Sequence, residues 1–333
     1  MDSKLYRFIK SLLSSDISGR KREKYIFAGK ILLSAGLIFY LYKRIEFAKL
    51  HDTFTSANIA LVSIVVLMGF LNIYLQYYKW KLLCVVCLHE THKKRIFFSL
   101  IHGLAAGAFT PARIGEYVGR KFIFPDQTLF DVTITTAVDK FFLLFINLAA
   151  GSIAVVLFLH YTVFVNIYIT TSLFILLTFG LLISGYFLLH EQLWDSILVQ
   201  YLRQFSFLQG IAHRFKFLRK LDNKTLLRAM IINIAFYCCI VLQFAILVIA
   251  FHMQAGLLTA IWIGNLMFFT KALFPAVSLG EIGIREMISI YFVTQFGIPE
   301  AVGFNAAFLL FVINIAFPAI LGMILYFVKP YVH

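Results

Sequence analysis

Long apolar runs separated by short polar connectors dominate the chain and predict membrane-spanning helices at about 25–44, 57–79, 131–159, 162–189, 228–251 and 303–328. A helix needs about 20 apolar residues to cross roughly 30 Å of hydrocarbon, and each run reaches that length. Two further segments, 94–124 and 256–296, are apolar but broken near the middle by proline, glycine and charged residues. The expected fold is all-α and polytopic, with six full spans and two interrupted segments.

Connector charge sets an orientation. Lys and Arg number seven in 1–24, five in 79–95 and seven in 190–228, whereas 160–163 and 252–255 carry none. Basic loops stay cytoplasmic, so the N-terminal segment and both basic connectors belong there, as do both termini. The connector at 43–56 disagrees mildly, with Lys43, Arg44 and Lys49 on the outer side. With this orientation segment 94–124 leaves the cytoplasm and must return to it. Segment 256–296 leaves the outer face and must return there. Both read as re-entrant helical hairpins entered from opposite faces, which makes an inverted-topology repeat of about 57–159 and 228–328.

The hairpin motifs repeat as well. Pro111-Ala-Arg-Ile-Gly115-Glu116-Tyr-Val-Gly119-Arg120 returns as Pro275-Ala-Val-Ser-Leu-Gly280-Glu281-Ile-Gly283-Ile-Arg285-Glu286. Each copy is followed by an apolar segment carrying Phe-Leu-Leu and then Ile-Asn, Phe141 to Asn147 and Phe308 to Asn314. Glycines at 103, 107, 115 and 119, and at 280 and 283, suit a tight tip and close helix approach. Pro111, Gly115, Pro275, Gly280 and Gly283 are the expected tip residues. Pro125-Asp126 and Pro299-Glu300 are expected to start the helix after each hairpin. Non-helical backbone at membrane depth is tolerated only where it is buried in protein or lines a wet cavity.

Composition agrees with the pattern. Of 333 residues 61% are hydrophobic and 14% charged, more apolar surface than a soluble core can hide. A net charge of +14 would suggest nucleic acid in a soluble chain. Here the cations collect between spans, so anionic lipid headgroups are the expected partner and nucleic acid is not. Residues 1–24 lack a signal-peptide pattern, and Leu5, Phe8, Ile9 and Leu12 sit at the spacing of a surface-lying amphipathic helix, with a solvated basic tail as the alternative. Residues 25–333 form one membrane domain, and the connector 190–227 is too short for a catalytic domain. Cys84-x2-Cys87-x-His89-x2-His92 resembles a zinc spacing, but four ligands within nine residues would strain a tetrahedral site, so neither a metal nor another cofactor is expected.

The charged residues inside the apolar segments carry the chemistry. Glu116 and Arg120 are four apart and can pair on one helical face, and Glu281 and Arg285 repeat that spacing. Such pairs could serve only to let hairpins exist in lipid. They do not explain the surplus of Arg113, Arg120 and Lys121 over Glu116. A guanidinium fork matches phosphate, so a phosphate-bearing headgroup is a fitting ligand. Arg113, Arg120 and Lys140 would hold phosphate, while Glu116, Asp139, Glu281 and Glu286 balance charge or relay protons; Lys271 and Arg285 complete the candidate site. No nucleophile triad or nucleotide loop is present, so no catalytic residue is expected. His102 reads as a packing residue in an apolar helix.

Pro111-Ala-Arg-Ile-Gly-Glu, Asp139-Lys140 and Gly-Glu-Ile-Gly-Ile-Arg-Glu286 resemble the transmembrane region of lysylphosphatidylglycerol synthases, whose stand-alone relatives form a flippase-like family. The resemblance covers about 25–330. It implies a lipid translocase module with two antiparallel hairpins meeting at mid-membrane, and lands on Pro111, Arg113, Gly115, Glu116, Asp139, Lys140, Gly280, Gly283 and Glu286. The chain departs from the family in having Asp-Lys where Glu-Arg is usual, and Ser278-Leu279-Gly280-Glu281 where Pro-Gly-Gly is common. The aminoacyl-transferase domain is expected to be absent. The expected function is movement of a phospholipid or lipid-linked headgroup between leaflets of the cell (inner) membrane. A membrane-embedded enzyme, or an accessory subunit in headgroup modification, is the competing reading. A partner enzyme docking through 190–228 and a homo-oligomer stay open.

Overall fold

The structure, a computed structural model, describes residues 47–108, 110, 113–189, 221–274 and 283–327. The amphipathic reading of 1–24, the span at 25–44, the connector 190–220 and the tip residues Pro111, Pro275, Gly280 and Glu281 lie outside the described residues. Within them the chain is helical, with no strand. Five helices are long and apolar enough to cross a membrane.

A short helix α1 (Phe47–Thr55) occupies the connector expected at 43–56. The first long helix, α2 (Ile59–Leu83), starts where the Asn58 side chain accepts the N–H of Leu61 and runs into a π turn, Cys84–Leu88. This corrects one boundary. The span does not stop at Lys79, which is buried within it rather than wetted in a connector. A helix pair follows, α3 (Lys93–Ala108) and α4 (Gly115–Lys121). Then come α5 (Leu129–Tyr161) and α6 (Ile167–Leu189).

Thr128 caps α5 by accepting the N–H of Asp131. Pro125 and Asp126 therefore belong to the preceding turn and do not begin the helix as expected. A threonine hydroxyl can accept an orphan helix N–H, which proline cannot do.

The second half repeats the order. α7 (Asn223–Phe251) is capped by Asp222. Hydrogen bonds from Thr225 hold the Asp222 carboxyl below its ordinary range. The second pair is α8 (Leu257–Leu273) and α9 (Ile284–Gln295). The last span is split: α10 (Glu300–Phe311), a π turn (Val312–Ala316) and α11 (Phe317–Phe327). Here Pro299 does precede the first helical residue, as expected.

Contacts between the halves are reciprocal. α2 and α7 pack along each other. α8 leans on α5, where a side chain on Gly151 would run into Phe269, and α11 leans on α3, where one on Gly322 would meet the Ile101 carbonyl oxygen at 2.6 Å. Each helix pair is thus braced by the last span of the other half. One apolar core surrounds α7, α8, α9 and α10 around Phe244, Leu247, Ile263 and Val293. A second lies among α2, α3 and α5 around Trp80, Leu100, Phe124 and Phe142. By contrast α6 is exposed along nearly its whole length, with no polar face. Only lipid or further apolar surface can cover such a helix.

Candidate functional site

The first pair closes tightly because glycine faces backbone. A methyl on Gly119 would lie 2.6 Å from the His102 carbonyl oxygen, and the Ser99 hydroxyl donates to the Arg120 carbonyl at 3.0 Å. The residues pair 102 with 119 and 106 with 115, so α3 and α4 run antiparallel. His102 spends its Nδ1 proton on the Phe98 carbonyl at 2.7 Å. Arg113, just before α4, holds a left-handed backbone with φ of 55°, a sparsely populated conformation for a side-chain-bearing residue. Its side chain turns back toward the pair.

Buried charges then link three helices. Glu116 accepts from Arg120 at 2.6 Å and from Lys140 of α5 at 2.7 Å, and Arg113 Nε stands 3.6 Å away. Arg120 reaches on to Asp139 at 3.5 Å, and Asp139 pairs with Lys79 of α2 at 3.0 Å. The Arg120 guanidinium also lies 4.0 Å from the centre of the Trp80 ring, a favourable cation–π position when desolvated. Lys79 in turn lies 3.5 Å from Asn233 Oδ1 and over the Phe236 ring of α7. Among the described residues this ladder has four cations, Lys79, Arg113, Arg120 and Lys140, against two carboxylates. Lys79, Arg120, Glu116 and Asp139 are buried, whereas Arg113 and Lys140 keep part of their side chains exposed.

Beside the ladder opens a cavity of about 450 Å³, within the range of ligand pockets. Both pairs line it: Arg113 from the first, Lys271 and Arg285 from the second. Its described lining holds no acidic residue but does hold Asn72, Gln76, Asn147, Tyr237 and Asn314. Asn147 and Asn314 are the two Ile-Asn asparagines of the repeated sequence. Asn314 sits in the π turn of the last span, an irregularity often found at functional sites.

Of the site residues expected from sequence, Arg113, Glu116, Arg120, Asp139 and Lys140 meet in the ladder. Arg113 meets Lys271 and Arg285 at the cavity. Glu286 takes another position: its carboxylate accepts the N–H of Gly283 at 2.6 Å and closes the first turn of α9. Gly283 has φ of 91°, which suits glycine alone. In the repeated motif Glu116 and Arg120 correspond to Glu281 and Arg285, and Glu281 lies outside the described residues.

Sequence reasoning missed Lys79, Asn72, Gln76 and Asn147. Asn72, Gln76 and Lys79 stand at i, i+4 and i+7, a polar stripe on one face of an otherwise apolar helix. Reading that phase would have moved Lys79 from the connector into the site.

The comparison with protein families now bears on this geometry. The model of the lysylphosphatidylglycerol synthase TM region matches residues 27–322. The chain belongs to that family. No curated protein matches it. As a member of the lysylphosphatidylglycerol synthase TM-region family it is a multi-pass membrane protein of lipid modification or transport. The match extends over both helix pairs and every described residue of the ladder and cavity.

Proposed function

We propose that the protein is a lipid translocase: a phospholipid headgroup passes between leaflets through the shared cavity while the acyl chains stay in lipid. The observation that carries this is the basic wall of Arg113, Lys271 and Arg285, drawn from both helix pairs into one cavity of a membrane-spanning bundle. Guanidinium groups bind phosphate bidentately, and a desolvated wall strengthens that attraction. Glu116 and Asp139 hold the neighbouring cations in place.

The reading includes a topology. Six spans, counting 25–44, enclose two re-entrant pairs entered from opposite faces, with both termini in the cytoplasm and the protein in the inner membrane. α3 and α8 have 16 and 17 residues, about 25 Å of helix, short of the roughly 30 Å needed to cross. Without a nucleotide motif, transport runs downhill or is coupled to an ion.

Proteoliposomes with an acyl-labelled fluorescent phospholipid and a membrane-impermeant quencher test the proposal. The wild-type chain should expose inner-leaflet label well above protein-free vesicles, and Arg113→Ala with Arg285→Ala should return it to background. A wild-type rate equal to that of empty vesicles overturns the reading. The family's name supports a second role, as an accessory subunit in headgroup modification. A changed lipid composition on expression, with sidedness unchanged, would favour it.

A further inference from the structure

The last span changes helix type where its sequence demands it. Pro318 stands near the start of α11. A proline has no N–H to give the carbonyl four residues back, and its ring crowds that carbonyl, here the one of Asn314. The helix widens in response. The Phe317 N–H reaches the Val312 carbonyl five residues back, and 312–316 form the π turn. Before the turn, α10 packs in the larger apolar core through Val302, Ala306 and Leu310. After it, α11 lies on α3, with Gly322 close to the Ile101 carbonyl and Ala105. One span thus serves the second half before its bend and the first helix pair after it.

A buried amide holds that bend. Gln243 of α7 is fully buried, and both donor and both acceptor positions of its carboxamide are used. Its Nε2 donates to Asn314 Oδ1 at 3.2 Å and to the Val65 carbonyl at 3.3 Å. Its Oε1 accepts from Asn314 Nδ2 at 2.8 Å and from Asn72 Nδ2 at 3.4 Å. Val65 and Asn72 belong to α2, which comes so close to the turn that a methyl on Gly69 would lie 2.6 Å from Ile313 Cγ2. The turn is therefore pinned to both α2 and α7. An apolar side chain could fill the same space, so packing alone does not call for the amide. A fully satisfied buried polar network instead fixes one geometry.

Two consequences reach the cavity. Asn314, held by Gln243, is part of its lining. The direction that α11 takes after the turn sets where α3 rests. In turn α3 carries α4 through the Ser99–Arg120 hydrogen bond and the close approach of Gly119 to His102. Arg113, just before α4, reaches the cavity wall from that seat.

Resting on the translocase reading, we infer that Gln243 is a positioning residue for lipid movement: it sets the bend of the last span, and with it Asn314 and the seat of the first helix pair beside the cavity.

Hydrogen exchange of the purified protein in nanodiscs reads the bend itself. Gln243→Asn keeps an amide but is one methylene short, so it cannot serve Asn314 and Val65 together. Backbone exchange at 312–317 and along 100–106 of α3 should rise about tenfold, the ratio for one to two net hydrogen bonds, while 301–308 of α10 stays unchanged. Gln243→Asn with Asn314→Gln moves the methylene across the pair and should return exchange to near the wild-type value. Unchanged exchange at 312–317, or an equal rise in every helix, overturns the inference. Gly322→Ala tests the α11 contact without touching Gln243. Its methyl meets the Ile101 carbonyl, so exchange along α3 should rise while 312–317 stays as it was. Unchanged exchange along α3 would mean that α11 does not seat the first pair.

Lipid movement gives the second readout. In proteoliposomes with an acyl-labelled fluorescent phospholipid, Gln243→Asn should slow movement by a similar factor, and the swapped pair should recover most of it. A wild-type rate in Gln243→Asn, or no recovery in the swapped pair, overturns the inference and leaves the translocase reading standing. If the wild-type protein itself moves no lipid, the translocase reading falls, and the exchange pattern alone decides whether Gln243 sets the bend.

Discussion

The two helix pairs follow one order and solve opposite problems. The first, α3–α4, buries ionised side chains against Trp80, Asp139 and Lys140, and its interior is a ladder of charge. The second, α8–α9, packs Ile263, Leu266, Phe292 and Val293 into the larger apolar core and lines the cavity with the cations Lys271 and Arg285 beside Phe268 and Phe274. Where one pair holds Glu116 against Arg120 within the ladder, the other turns Glu286 to the start of its own helix. A duplicated topology therefore does not require duplicated electrostatics. One copy stores fixed charge, and the other supplies cations from a rigid apolar frame.

Removing one buried acid from each pair should expose the asymmetry most strongly. Glu116→Ala leaves Arg113, Arg120 and Lys140 facing one another and should cost about 3–5 kcal/mol, as for a buried pair losing one partner. Glu286→Ala loses one hydrogen bond at a helix start and should cost about 1–2 kcal/mol. Denaturant unfolding in a fixed mixed micelle compares them, and equal costs would show that the two acids have one role.

The ladder should also behave as a unit. Lys79→Met and Asp139→Leu should each destabilise by about 3 kcal/mol or more, and the double variant by less than either. Additive losses would mean that Lys79 and Asp139 do not interact energetically at their 3.0 Å separation.

Backbone fit comes next. Gly119→Ala pushes a methyl to 2.6 Å from the His102 carbonyl, so α3 and α4 must separate, at about 1–3 kcal/mol. Gly180→Ala meets nothing in the described structure and should be near neutral. The same unfolding curves report both. Thr128→Ala removes the α5 cap and should cost about 1 kcal/mol, between the two glycine variants.

Much of the fold was legible because lipid imposes a simple rule on backbone polarity. Apolar runs of sufficient length marked all five described long helices, with the largest miss at the end of the first, which runs past 79 to Leu88, and smaller ones at the starts of two others. The interrupted segments stood out since Pro, Gly and paired charges cannot sit unexplained in such runs. Glu116–Arg120 followed from i,i+4 spacing, and the 2.6 Å contact is local. The rest depended on contacts between distant parts of the chain. Lys79 was hidden because Lys81 follows two residues later and the pair resembled the start of a basic connector. Its partner Asp139 is 60 residues away and brought close only by packing of α5 on α2. Thr128 was passed over because Pro125 gave a stronger local start signal. The amide network around Gln243 has no sequence signature, since a buried glutamine reads like a solvated one until its neighbours are known.

Translocation as proposed requires both pairs to present their cations to one headgroup. Electron cryomicroscopy of the protein in nanodiscs of phosphatidylglycerol addresses it most directly. Phosphate density within hydrogen-bond reach of Arg113 and Arg285, with acyl density leading out to the bilayer, is the predicted result. Headgroup density confined to the two membrane surfaces, with the cavity closed by side chains, would contradict the claim and leave the ladder as a device for burying helices alone.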